Sequence, residues 1–269
     1  MPLTQEEQKC VDQFIKYLRI PTVHPNPDYA PAVALLYQIC SEIKGVKCTT
    51  IELASKNPFL IVTLVGRHPE GKSLMLSSHM DVVPVNRSSW SVDPFEAKIV
   101  DGQIYARGSQ DMKCVTIQQI NALRRLTECG FVPNRTVHLV FTPDEEAGSA
   151  RGVELFAKSD FFKQLNVGFV MDEGIASPSE IIPLFYGERN GRCIIITCPG
   201  NAGHGSQFIK NTAAEKLLRI FNEIQNFRKQ EEQRLVEDPS LTLGDVTTVN
   251  VNMVTSFVVL KSFNSFLNI

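Results

Sequence analysis

His79-x-Asp81, Asp111, the pair Glu145-Glu146 and the pair Asp172-Glu173 stand in the stretches SSHMDVVP, ARGSQDMK, FTPDEEAG and FVMDEG. In most of these the imidazole or carboxylate follows directly on an apolar run that reads as a buried strand. One imidazole and several carboxylates at strand ends are the donor set taken by a pair of borderline-to-hard divalent cations. The set also leaves a carboxylate over to take a proton from water. Each residue has an ordinary reading too. His79 can be a histidine satisfied by a backbone carbonyl, Asp111 an acid at a helix N-terminus, and Glu145-Glu146 a solvated acidic loop. Three strand-end sites of this kind in one chain strengthen the metal reading without closing the other.

Within the metal reading the residue types divide the work. Asp81, two residues past His79, is placed to accept the second N–H of a metal-bound imidazole and so fix its tautomer. Asp111 has two oxygens with which to bridge cations about 3.5–4 Å apart. Adjacent residues in an extended or turning backbone point in different directions, so one of Glu145 and Glu146 can bind metal while the other faces substrate as a general base. In open α/β sheets, ligands gather beyond the carboxyl ends of the strands, where Asp172-Glu173 also falls.

The elements that must position these groups follow from pattern. Thr4-x-x-Glu7 is a capping box ahead of Val11, Phe14, Ile15 and Leu18, which predicts an opening amphipathic helix. PTVHPNPDYAP is proline-rich and predicts irregular chain, and a second helix is expected from about Asp28 to Lys44, ending at Gly45. Leu60–Val65, Leu74–Ser77, Val137–Phe141 and Gly168–Met171 read as strands, several apolar on both faces as in a sheet covered by helices. A helix after Asp111 carries Ile117, Ile120, Leu123 and Leu126 on one side. The expected class is α/β, a mixed and mostly parallel sheet covered by helices.

After about Glu188 the pattern changes to strand (RCIIITCPG), helix (capped by Thr212-x-x-Glu215, with stripe Leu217, Ile220, Phe221, Ile224 and Phe227) and strand (TLGDVTTVNVNM). The expected division is a catalytic domain over 1–188, a smaller α+β domain over 189–253 and a divergent segment over 254–269 that reads as an edge strand or a tail.

With 43% hydrophobic and 21% charged residues among 269, the composition is that of an ordinary globular protein. A net charge of −2 gives no attraction to nucleic acid or anionic membrane. The polar, acid-bearing N-terminus lacks the features of a signal or transit peptide, and no apolar run reaches the roughly 18 residues of a membrane span. Seven scattered cysteines without C-x-x-C read as reduced thiols, so a cytoplasmic protein is expected.

SSHMDVVPV, WSVDPFEAKIVDGQIYARGSQDMKC, FTPDEEAGSARGVELF, MDEGIASP and PGNAGHGSQF, in this order and spacing, resemble the zinc metallopeptidase family that includes carboxypeptidase G2-type enzymes, acetylornithine deacetylase and dipeptidases. YARGSQDMKC and DEGIA are closest to its aminoacylase branch. The resemblance runs from roughly residue 5 to residue 253. It implies two zinc ions. His79 and Glu173 would hold one, Glu146 the other, and Asp111 would bridge them. Glu145 would be the general base and Asp81 would orient His79. His204, in GHGS, would reach the partner subunit's active site and steady a developing oxyanion.

The implied reaction is hydrolysis of an N-acyl-L-amino acid to a carboxylate and a free amino acid. The smaller domain would be a lid and dimerisation domain, and the protein a homodimer. The family pattern also has a last zinc histidine in a C-terminal segment. Here histidines occur at 24, 68, 79, 138 and 204, with none after the small-domain region. Both domains are therefore expected to be incomplete at the C-terminus, and the chain alone to bind zinc poorly. The alternative functions are an inactive form that only dimerises with a longer chain, and a related peptidase or deacetylase.

Overall fold

The computed structural model describes residues 3–177, 179–187 and 189–255. It divides into two units, Met1–Leu184 and Phe185–Ile269.

The first unit opens as its capping box predicts. Helix α1 (Gln5–Leu18) starts where Thr4 Oγ1 accepts the Glu7 N–H at 3.2 Å and Glu7 Oε2 accepts the Thr4 N–H at 2.8 Å. Helix α2 (Ala30–Ser41) is shorter at both ends than expected. Pro31 occupies its first turn, and the chain leaves through Gly45, at φ +82°, into an edge strand.

That strand, β1 (Val46–Ala54), begins a five-stranded sheet with β2 (Asn57–Leu64), β3 (Ser73–His79), β6 (Val137–Thr142) and β7 (Val167–Met171), in the order β1-β2-β6-β3-β7. The pairs β1–β2 and β2–β6 are antiparallel; β6–β3 and β3–β7 are parallel. The parallel half is the half that ends in the candidate ligands. A short hairpin of β4 (Lys98–Val100) and β5 (Gln103–Tyr105) lies apart from this sheet and leads into α3 (Lys113–Glu128).

The continuous apolar runs are explained by two cores, one on each face. Leu60, Val62 and Leu64 of β2, with Leu139 and Phe141 of β6, pack with Leu36 and Ile39 of α2 and Ile117 and Ile120 of α3. The alternate residues Phe59, Ile61 and Val140 point to the other face. There they meet Phe156 of α4 (Val153–Lys158) and, partly buried, Phe161 and Phe162 of α5 (Asp160–Gln164). The Phe156 ring stacks on Phe59 at 4.8 Å and meets Phe162 edge-on at 5.3 Å. At the far edge, β7 leaves Phe169, Val170 and Met171 exposed.

In the second unit, α6 (Ala213–Glu237) has the predicted cap, with Thr212 Oγ1 accepting the Glu215 N–H at 3.2 Å. The strands expected over RCIIITCPG and TTVNVNM do not form. A strand exists only through ladder bonds to a neighbour, and none is made here among the described residues. Ile194 and Ile195 stand largely exposed. Residues 247–249 instead bond to side chains of α6: Glu231 Oε2 accepts the Thr247 N–H at 2.7 Å and Arg228 donates to the Val249 carbonyl at 3.2 Å. Most of the expected edge strand or tail, residues 256–269, lies outside the described residues.

Candidate metal centre

Because β3, β6 and β7 run parallel, their carboxyl ends open on the same side. His79 is the last residue of β3, Asp144–Glu146 follow β6, and Asp172-Glu173 follow β7. Asp111 is brought alongside by α3, which is fastened to β3: Thr116 Oγ1 donates to Ser78 Oγ at 2.9 Å and Gln119 Nε2 to the Ser77 carbonyl at 3.0 Å. The Asp111–Met112 peptide is cis, and the buried Met112 sulfur accepts the His79 N–H at 3.2 Å. At Gly108, with φ +83°, a Cβ would stand 2.9 Å from Val82 Cγ1, so the loop into Asp111 requires glycine there.

The His79 imidazole is almost wholly buried, with Nε2 aimed at the carboxylates. It lies 3.0 Å from Asp111 Oδ1, 3.7 Å from Glu173 Oε2 and 3.9 Å from Glu145 Oε2. Two overlapping groups result, His79–Glu145–Glu173 and His79–Asp111–Glu146, with the donor atoms in each within 4.8 Å of one another. The carboxylates open to solvent while the imidazole closes the floor.

Charge is crowded here. Burial raises the pKa of Glu145, and Glu173, Glu146 and Asp81 raise it further, against the pull of His79. Burial and the neighbouring Asp111 do the same for Glu146. Burial alone would lower His79, but the nearby carboxylates of Asp81 and Glu173 outweigh it and push it up to about 11. One imidazole among clustered acids that repel one another is a donor set a divalent cation relieves, in competition with the imidazole proton.

Asp81 lies against His79 and also against the Glu145-Glu146 turn. His79 Nδ1 lies 2.9 Å from the Asp81 main-chain carbonyl and 3.5 Å from its carboxylate. The wholly buried carboxylate turns instead to the next loop, accepting the N–H of Glu145 at 3.1 Å and of Glu146 at 2.9 Å. Burial opposes its charge, but His79, His24 and the Glu146 N–H prevail and hold its pKa below the ordinary carboxylate value.

Three supports of the site were not legible in the sequence. Tyr29 Oη accepts the Asp144 N–H at 3.0 Å, and Asp144 Oδ2 accepts the Arg151 N–H at 2.8 Å, bracing the Glu145-Glu146 turn. Lys113, fully buried, donates to the Ile20 carbonyl at 2.7 Å and the Tyr17 carbonyl at 3.3 Å, tying α3 to the end of α1. Burial pushes its ammonium down to about 7. His24 Nε2 lies 2.7 Å from Asp81 Oδ2. PTVHPNP and DYAP do signal irregular chain, but nothing in them indicates what that chain touches. His204 belongs to the second unit, in an exposed turn with Nδ1 2.8 Å from Ser206 Oγ.

Residues 75–223 match Peptidase family M20/M25/M40. Aminoacylase-1 of Homo sapiens is 46% identical over 248 residues, which are 92% of this chain and 60% of that protein. Aminoacylase-1 of Dictyostelium discoideum is 40% identical over 266 residues, 97% of this chain and 65% of that protein. The chain thus spans about three fifths of the length of the human relative. Among solved structures, an M20 family metallo-carboxypeptidase from Sulfolobus solfataricus superposes with a TM-score of 0.54 at 26% identity, covering 64% of this chain and 38% of that one. Human carnosine dipeptidase 1 shares the fold at a TM-score of 0.51 and 21% identity, over 62% of this chain and 38% of that one. With its site at the ends of the parallel strands and the family match running from Met75 in β3 into α6, this chain belongs to Peptidase family M20/M25/M40.

Proposed function

We propose that the chain carries the hydrolytic apparatus of a zinc-dependent aminoacylase, acting on N-acyl-L-amino acids to give a carboxylate and a free amino acid. The observation that carries this reading is the convergence of His79, Asp111, Glu145, Glu146 and Glu173 in two donor groups that share His79. The aminoacylase-1 relatives support the substrate class.

Two zinc ions are proposed, with His79 and Glu173 on one, Glu146 on the other and Asp111 between them. Zinc bound there supplies a Lewis acid and lowers the pKa of water toward about 7. Glu145, the remaining carboxylate, takes a proton from the attacking water as the new C–O bond forms at the amide carbon. It delivers that proton to the amine nitrogen as the C–N bond breaks. Asp81 holds the Glu145 and Glu146 backbone and so sets where both carboxylates stand. His204 is proposed to act on the partner subunit of a homodimer, steadying the oxyanion. Residues 1–188 are proposed as the catalytic part and 189–253 as part of a lid and dimerisation domain. A cytoplasmic setting fits seven cysteines that are all unpaired, and no helix among the described residues is long and apolar enough to cross a membrane.

The test is release of methionine from N-acetyl-L-methionine by the purified chain with added zinc, beside a dipeptide panel. Zinc-dependent release that chelation abolishes supports the reading. Hydrolysis of dipeptides alone transfers the chain to the family's peptidases, and zinc uptake without turnover of any substrate leaves a metal-binding form that does not act alone.

A further inference from the structure

The Asp81 carboxylate has about four positions at which to accept hydrogen bonds. Two are filled by consecutive amides of one turn, Glu145 N–H on Oδ1 and Glu146 N–H on Oδ2. A third is filled from a separate part of the chain. His24 Nε2 lies 2.7 Å from Oδ2, the shortest of these contacts, with its side chain 12% exposed. The acceptor is a carboxylate oxygen, so Nε2 carries the proton.

His24 is itself fixed by main chain. Its N–H donates to the Val82 carbonyl at 3.2 Å, the Val82 N–H donates to the Thr22 carbonyl at 2.9 Å, and Val23 forms a parallel bridge with Val82. The Thr22 hydroxyl donates to the Met80 carbonyl. The proline-bounded segment after α1 is therefore zipped onto the chain leaving β3, and it holds out one imidazole to the carboxylate on which the Glu145-Glu146 turn hangs.

We propose that His24 is a positioning residue. By donating to Asp81 it fixes the carboxylate that holds the Glu145 and Glu146 amides, and with them the two side chains at the metal centre. The last clause rests on the metal reading given above; the effect on the amides does not.

The test compares His24→Leu, which removes the donor, with His24→Gln, whose amide nitrogen reaches about as far as Nε2. Amide hydrogen exchange in the metal-free chain is the first readout. In H24L the Glu145 and Glu146 amides are expected to exchange about tenfold faster or more, the equivalent of one lost hydrogen bond, while Val140 in the sheet is unchanged. In H24Q they stay within about threefold of the native rate. The second readout is cobalt affinity by absorbance, expected to fall about tenfold in H24L and to recover in H24Q.

Native exchange at both amides in H24L overturns the proposal, as does an equal acceleration in H24L and H24Q. If H24L does not fold, H24Q decides: native exchange supports the donor role and accelerated exchange overturns it. If the native chain takes up no cobalt, the metal reading falls while the exchange result still decides the role of His24.

Discussion

Replacing Asp81 with asparagine changes one oxygen into an amide nitrogen at a side chain with no solvent exposure. In whichever way the new amide is turned, a donor comes to face donors. With its oxygen in the Oδ1 seat, the Glu146 N–H and His24 Nε2 lose their acceptor; with it in the Oδ2 seat, the Glu145 N–H does. The second orientation is the cheaper. It leaves one part-buried amide unsatisfied, at roughly 1–3 kcal/mol, and turns two charge-assisted bonds into neutral ones, at about 1 kcal/mol each. Removing a buried charge returns some desolvation energy, but the partners stay in place and the loss dominates. D81N is therefore expected to lose roughly 2–4 kcal/mol, read as a lower denaturation midpoint at unchanged m. The control is Asp93→Asn. Its carboxylate likewise accepts from one side chain, the Arg87 guanidinium at 2.6 Å, and from a backbone N–H, but in solvent, and its midpoint should not move. A D81N midpoint within about 0.5 kcal/mol of native would mean that Asp81 does not hold the turn, and the account of the site's construction would fall.

If the proposed aminoacylase activity holds, Glu145→Gln should lower the rate of hydrolysis by about 10²–10⁴-fold while leaving cobalt or zinc affinity near native; a matching loss of affinity would make Glu145 a ligand rather than the base. Phe156→Ala removes a ring stacked on Phe59 and buried to 1% exposure; it should cost about 3–5 kcal/mol by denaturant titration. Gly108→Ala puts a Cβ 2.9 Å from Val82 in a left-handed backbone, and should lower the midpoint by more than the roughly 1 kcal/mol of a strained glycine replacement. The buried Cys40 thiol, whose pKa burial pushes up, should resist alkylation in the folded chain while the exposed Cys129 and Cys193 are modified; peptide mass mapping after a short pulse checks the order.

How far the sequence reaches depends on whether a residue's role is set by its own element or by a distant one. β2, β3 and β6 were legible because burial on one or both faces leaves apolar runs, and β7 by its apolar residues alone, since Phe169, Val170 and Met171 are exposed; the parallel ends of β3, β6 and β7 put His79, Glu145-Glu146 and Glu173 on one side of the sheet. β1 was not, because an edge strand with one half-exposed face mixes Lys47, Thr49, Thr50 and Glu52 among its apolar residues. The strands expected in the second unit failed for the complementary reason: RCIIITCPG has strand-like residues, but strand structure belongs to a pair of segments and not to one. The same distinction separates the candidate ligands from their supports. His79 and the acids stand out by type and position, whereas a two-residue spacing does not tell whether the main-chain or the side-chain oxygen of Asp81 lies nearer His79 Nδ1. His24, Tyr29 and Lys113 act 57, 115 and 93 residues away along the chain, on Asp81, Asp144 and Ile20 respectively. No local pattern encodes a contact at that separation. If the proposed metal reading holds, a substitution at position 24 is therefore expected to alter metal affinity without touching any residue of the motif.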